Sequence, residues 1–171
     1  MSEQDGRSIA RKILEALYDA WERHTVISLN SVEAQGGWDR STFRTVVERL
    51  EKHHGLIKNH GSSYTFDITP DGVLYAEENE IAPRDKAEWH GKIRQHILTF
   101  LADLYEREGN RAHAHYEKIA EGAPVKDSME ILRDITLLSG LGYIKAASVS
   151  SFTITEDGLR YYRGTDYEEI I

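Results

Sequence analysis

Apolar residues recur at helical spacing in two segments of the chain that lie 84 positions apart. Spacings of three and four residues place side chains on one face of an α-helix, and charged residues occupy the other positions. The pattern therefore predicts an amphipathic helix over residues 8–24 and a counterpart in the second half of the chain. The first apolar set is Ile9, Ile13, Leu14 and Leu17, and the second is Ile93, Ile97, Leu98 and Leu101.

Two further helices are predicted in each half. The shorter one covers residues 29–35 and again 116–121, and glycine ends it both times. The longer one starts near Asp39 or Asp127, whose carboxylates can accept hydrogen bonds from the free N–H groups of a first helical turn. Its apolar stripe consists of Phe43, Val46, Val47 and Leu50 in the first half, and of Ile131, Ile135 and Leu138 in the second.

A predicted β-hairpin follows the third helix in both halves. The first hairpin pairs residues 56–59 with 64–68, and the second pairs 143–146 with 151–155, because short alternating runs flank a turn of small or polar residues. Each hairpin leads into a Thr-x-Asp-Gly sequence, with Thr69 or Thr155 as the expected N-cap of a closing helix. The chain thus contains the same order of elements twice.

The segments YTFDITPDGVLYAE and SFTITEDGLRYYR resemble the end of the wing and the following helix in winged helix-turn-helix regulators of the PadR and MarR type. The resemblance extends over nearly the whole chain, once per copy. It implies a DNA-binding transcriptional regulator that reads DNA with its third helix and wing. Two copies in one chain differ from the usual regulator of this kind, which has one winged helix and a dimerising helix.

The predicted fold is mainly α with small β-hairpin wings, in the form of two tandem winged helix-turn-helix domains from an internal duplication. The first domain is predicted at residues 6–80 and the second at 92–164. A linker is predicted at 81–91 and an acidic tail at 165–171. A domain of this size buries a modest fraction of its surface, so association between domains or chains is expected.

Composition narrows the possible functions. The 171 residues include 21 basic and 29 acidic side chains, a net charge of −8, which argues against a protein that covers nucleic acid with its whole surface. The absence of cysteine excludes disulfides and thiolate chemistry. The N-terminus is polar and no apolar run is long enough to span a bilayer, so we expect a cytoplasmic protein without membrane contact.

Basic residues collect on the third helix and wing of the first copy. Arg44 and Arg49 are predicted to reach guanine edges or phosphates in the groove. The residues predicted to position the DNA backbone are Ser41, Thr45 and Lys52. The wing contact is predicted at Lys58, His60, Ser62 and Ser63. In the alternative interpretation the residues of the third helix form a solvated face, with Arg44 paired to Glu48 one turn away. The full predicted DNA-binding set is Arg40, Ser41, Arg44, Thr45, Arg49, Lys52, Lys58, His60 and Ser62.

The third helix of the second copy carries apolar residues outside its inward stripe. Met129, Leu132 and Leu137 are predicted to point outwards, which suits protein contact better than DNA. We therefore predict that the second copy mediates dimerisation or docking while the first binds duplex DNA. The alternative function is a tandem winged-helix module that binds proteins and no DNA.

Other chemistry finds little support in the sequence. The chain lacks a glycine-rich phosphate loop, a nucleophile elbow and a spaced carboxylate pair, so no enzyme is expected. The eight histidines do not form a helical pair with a carboxylate in register, so neither a metal nor a cofactor is predicted.

Overall fold

The computed structural model describes residues 3–61 and 63–164, and its contacts divide the chain into two units, Met1–Arg84 (unit 1) and Asp85–Ile171 (unit 2). Two parts of the sequence-based prediction, Ser62 and the acidic tail at 165–171, lie outside the described residues. No helix within the described ranges is both long enough and apolar enough to cross a membrane.

The described residues of unit 1 form four helices and a small antiparallel sheet. Its helices are α1 (Glu3–Glu22), α2 (Leu29–Gly36), α3 (Arg40–Glu48) and α4 (Pro70–Glu78), with a π-helical turn at Arg49–His53 directly after α3. Its strands are β1 (Ile27–Ser28), β2 (Ile57–Asn59) and β3 (Thr65–Ile68). The strand order is β1-β3-β2, so the hairpin β2–β3 lies beside the short strand that precedes α2.

Unit 2 has the same order of elements and the equivalent strand order, β4-β6-β5. Its helices are α5 (Arg84–Glu108), α6 (Tyr116–Ala120), α7 (Leu132–Gly140) and α8 (Glu156–Tyr162). Its strands are β4 (Ala114–His115), β5 (Ile144–Ala146) and β6 (Ser151–Ile154), and 3-10 turns occur at Gly109–Arg111 and Ser128–Ile131. Most of the segment predicted as a linker, 81–91, belongs to α5. The expectation of a mainly helical chain with small β-hairpins is confirmed.

The apolar stripes predicted from the sequence form the cores. In α1 and α5 all eight stripe residues are at most 2% exposed. The stripe of α3 is also buried, with Phe43 at 0% and Val47 at 2% exposed, and the polar residues of α3 therefore face outwards. In unit 2 the stripe residues Ile131, Ile135 and Leu138 are at most 2% exposed.

The Thr-x-Asp-Gly sequence fastens the hairpin of unit 1 to its closing helix. Thr69 Oγ1 accepts a hydrogen bond from Gly72 N at 3.0 Å and donates one to the carbonyl of Gly55 at 2.7 Å. Thr155 makes the corresponding bonds in unit 2, to Gly158 N at 3.0 Å and the carbonyl of Gly142 at 2.6 Å. The predicted N-caps are thus confirmed, and the repeated sequence has a structural cause in both units.

Candidate nucleic-acid interface

Helix α3 is capped by the residue that precedes it. Asp39 is the N-cap, and its Oδ2 accepts from Thr42 N at 2.9 Å and from Thr42 Oγ1 at 3.2 Å. The bond from the Thr42 backbone is the main reason that the pKa of Asp39 is lowered. The cap keeps a carboxylate at the start of α3, and the exposed residues Arg40, Ser41 and Thr45 follow it on the outer face.

Arg44 connects the outer face of α3 to the wing. Its Cζ lies 4.3 Å from the centroid of the Tyr64 ring, at the end of the turn between β2 and β3. Tyr64 is partly buried there, and burial raises the pKa of its hydroxyl. In the π-helical turn after α3, Glu51 Oε1 accepts a hydrogen bond from the backbone N–H of Asn59, the last residue of β2, at 3.2 Å. Helix and hairpin therefore form one continuous surface, which we call the α3–wing surface: Arg40, Ser41, Arg44, Thr45, Arg49, Lys52, Lys58, Asn59, His60 and Tyr64.

Glu33 of α2 lies against two of the predicted DNA-binding arginines. Its carboxylate oxygens are 3.7 Å from Arg40 Nε and 3.9 Å from Arg44 Nε, and its side chain is 17% exposed. Both distances exceed hydrogen-bonding length, and Glu33 Oε2 and Arg44 Nε are buried without a hydrogen-bond partner among the described residues. This arrangement could not be predicted from local sequence patterns, because Glu33 and Arg44 lie on different helices.

The alternative interpretation expected Glu48 to pair with Arg44, and this expectation is wrong. Glu48 pairs with Lys52, whose Nζ is 2.8 Å from Glu48 Oε1. The hydrogen bond from Lys52 lowers the pKa of Glu48, and the same bond raises the pKa of Lys52. Both side chains are more than half exposed, so water and salt screen the pair and Lys52 can exchange its partner at little cost.

Arg49 and Lys58 are the cations of this surface without an acidic partner. Both side chains are exposed, and neither side chain makes a hydrogen bond or ion pair with any residue in the described part of the chain. Lys58 stands opposite Asp67 in the β2–β3 register, but the Asp67 carboxylate lies 2.5 Å from His60 Nδ1. Arg49 and Lys58 can therefore approach a phosphate without first breaking an ion pair.

The hydroxyl of Thr45 is already used within the helix. Thr45 Oγ1 donates to the carbonyl of Ser41 at 2.9 Å. A hydroxyl that donates to its own helix can still accept a hydrogen bond, but it has no proton left for a phosphate oxygen. In this arrangement Thr45 can contact a base donor, whereas the predicted role of positioning the DNA backbone requires its rotation.

The predicted protein-binding face of unit 2 is only partly exposed. Met129 is 61% exposed, whereas Leu132 packs against the core of unit 2. The outward placement of Leu137 is wrong, because its side chain is 3% exposed. The buried residues of α7, Asp134 to Leu138 without Thr136, span an arc of about 160° at 100° per residue. The sequence-based interpretation assumed a narrower buried stripe.

A buried polar cluster in unit 2 was not predicted. His90 and Asp134 are both 0% exposed, and His90 Nδ1 lies 2.7 Å from Asp134 Oδ2. Arg94 Nη1 donates to the other oxygen, Asp134 Oδ1, at 3.0 Å. The cluster joins α5 to α7 across the core of unit 2. No group of three or more potential metal ligands occurs among residues 3–61 and 63–164.

No protein-family model, no curated protein and no solved structure matches this chain.

Proposed function

We propose that the chain is a tandem winged-helix transcriptional regulator and that unit 1 binds duplex DNA. In this proposal α3 enters the major groove and the hairpin β2–β3 lies along the phosphate backbone, as in helix-turn-helix docking. The observation that carries the proposal is the contact of Arg44 with Tyr64, which joins the polar face of α3 to the wing. A groove and the adjacent backbone can then be contacted by one surface.

The identical order of elements and the matching threonine caps support an origin of the two units by internal duplication. After duplication the third helices have diverged. The exposed residues of α3 are all polar, whereas the turn before α7 exposes Met129. This difference supports a division of labour in which unit 1 binds DNA and unit 2 binds protein.

The cations expected to bind phosphate most readily are those that have no acidic partner in the free protein. The net charge of −8 repels DNA at long range, but screening over roughly 8–10 Å at physiological salt leaves the local charges in control at contact. Arg49 and Lys58 are unpaired among the described residues, so they are the expected primary phosphate ligands. Arg40, Arg44 and Lys52 can join them only by exchanging a carboxylate for a phosphate.

Replacing both Arg49 and Lys58 with alanine is expected to weaken duplex binding and to flatten its salt dependence. Each lost phosphate contact reduces the slope of log affinity against log salt by about 0.9. Fluorescence anisotropy with a labelled duplex, from about 50 to about 300 mM KCl, measures both quantities. Lys145→Ala is the matched control, because Lys145 holds the same place in β5 of unit 2 as Lys58 in β2. Absence of binding by the unsubstituted chain at low salt would reject the proposal.

For unit 2 we propose self-association through the surface around Met129. A large apolar side chain that is 61% exposed in the 3-10 turn before α7 supports contact with a second copy. Met129→Glu is expected to shift the chain towards monomer in sedimentation velocity, because dimerisation would bury the new charge. Thr136→Glu, at an exposed position of α7, is the control. A monomeric unsubstituted chain at about 100 μM, a concentration at which even modest contacts associate, would contradict self-association.

The second candidate function is a protein-binding module without DNA binding. It is favoured by the position of Glu33, which partly neutralises Arg40 and Arg44. The salt series on duplex DNA separates the two candidates, since only DNA binding gives a steep loss of affinity with salt.

A further inference from the structure

Glu33 places a negative charge next to two arginines of the α3–wing surface. Glu33 lies on α2, but its carboxylate sits beside Arg40 and Arg44. We infer that Glu33 is an electrostatic brake on DNA binding by unit 1: its carboxylate competes with DNA phosphates for Arg40 and Arg44. This inference rests on the proposed function.

Arg44 is restrained on three sides in the free protein. Its Nε faces the Glu33 carboxylate, its Nη2 donates to Asn30 Oδ1 at 3.5 Å, and Tyr64 covers a face of the guanidinium. Two-donor recognition of guanine by arginine needs two neighbouring N–H groups that point the same way. The Nε and Nη2 edge is directed at α2, so Arg44 must leave Glu33 before that edge can reach a base.

The interaction of Glu33 with the arginines is better suited to competition than to holding the fold together. The arginines are 72% and 40% exposed, and the separations of 3.7 and 3.9 Å are too long for hydrogen bonds. The Arg40 side chain is largely exposed, and an ion pair with an exposed partner contributes little to stability. The Glu33 side chain is only 17% exposed, so salt screens its charge less than it screens a surface charge.

The expected consequence is a low affinity for DNA in general. A phosphate that approaches Arg40 or Arg44 meets the negative charge of Glu33 and must displace it. Contacts of Arg49 and Lys58 are free of this cost. Glu33 therefore lowers sequence-independent binding, and DNA that offers Arg44 a guanine edge recovers part of the loss through a directed contact.

Glu33→Gln tests the brake, because it removes the charge and keeps the shape. The affinity for a duplex of arbitrary sequence is expected to rise about tenfold at about 100 mM KCl. The salt slope is expected to steepen by about one to two, since Arg40 and Arg44 then release counterions from DNA. A merely structural role of Glu33 would change thermal stability without changing this slope. In a chain that already carries Arg40→Ala and Arg44→Ala, adding Glu33→Gln is expected to change neither the affinity nor the salt slope.

Glu121→Gln is the control for the change in net charge. Glu121 follows α6 of unit 2 and pairs with Lys118 at 2.8 Å, so its neutralisation alters the chain's charge equally and leaves the α3–wing surface unchanged. Its DNA affinity should equal that of the unsubstituted chain. An equal rise for Glu121→Gln and Glu33→Gln would overturn the brake in favour of a general charge effect.

The remaining outcomes separate the inference from the proposed function. If Arg49→Ala weakens binding and Glu33→Gln leaves affinity and slope unchanged, the brake is overturned and DNA binding stands. If neither the unsubstituted chain nor Glu33→Gln binds DNA at low salt, both are overturned. Should Glu33→Gln fail to melt cooperatively, Glu33→Asp draws the charge away from the arginines, and an unchanged affinity of that variant likewise overturns the brake.

Discussion

Replacing Asp134 with alanine is expected to lower the local free energy of opening of unit 2 by about 3–5 kcal/mol, the usual cost of breaking a buried charged pair. Asp134 is 0% exposed, and each of its oxygens is within 3.0 Å of a nitrogen of His90 or Arg94. Its removal takes a counter-charge away from a guanidinium that is only 12% exposed. Hydrogen-exchange mass spectrometry of the full chain measures this opening peptide by peptide.

The matched control is Asp103→Ala, an exposed aspartate on the same helix as His90 and Arg94. A surface substitution of this kind is expected to change stability by less than about 0.5 kcal/mol. Equal protection of α5 and α7 peptides in the two variants would show that the buried cluster does not hold these helices together.

Replacing Gly158 with alanine is expected to destabilise unit 2 by about 3 kcal/mol, at the upper end of the range for overpacking. A Cβ at Gly158 would lie 1.9 Å from the carbonyl oxygen of Tyr143 and 2.8 Å from Ile154 Cγ1. The first atom is backbone that the Thr155 N–H also binds, so α8 must move away from the hairpin. Gly72 has the same constraint in unit 1, with Leu56 O at 2.0 Å.

Gly91→Ala provides the comparison, since Gly91 lies within α5 and its added Cβ would have no atom within 4 Å apart from its chain neighbours and the nearby backbone of its own helix. Alanine is the better helix former, so stability is expected to stay level or to rise by up to about 1 kcal/mol. Thermal melting by circular dichroism and hydrogen exchange together compare the two variants. A Gly158→Ala chain as stable as Gly91→Ala would mean that α8 does not need this close approach.

Local patterns predicted the elements whose causes are themselves local. The stripes of α1, α3 and α5 follow from helical period, and the caps at Thr69 and Thr155 follow from side chains that bond within three residues. The two-residue strands β1 and β4 were missed because two residues are too few to show alternation.

The missed features depend on tertiary contacts. The Arg44 guanidinium contacts Glu33 and Tyr64, which are 11 and 20 positions away in the chain. Asp134 was assigned no structural role from the sequence, although its burial becomes favourable once His90 and Arg94 approach from α5. Leu137 is buried because a helix enclosed by protein can bury more than its strongest apolar stripe.

The π-helical turn at Arg49–His53 allows unit 1 to differ in chain length from unit 2 between the third helix and the hairpin. Gly55 follows Leu50 by five positions, whereas Gly142 follows Leu138 by four. The wider turn absorbs the additional residue, so Leu50 stays buried and Gly55 ends the helix with a positive φ, as Gly142 does. One residue can therefore be gained or lost at this joint while the hairpin keeps its pairing, since β2–β3 and β5–β6 have equivalent registers.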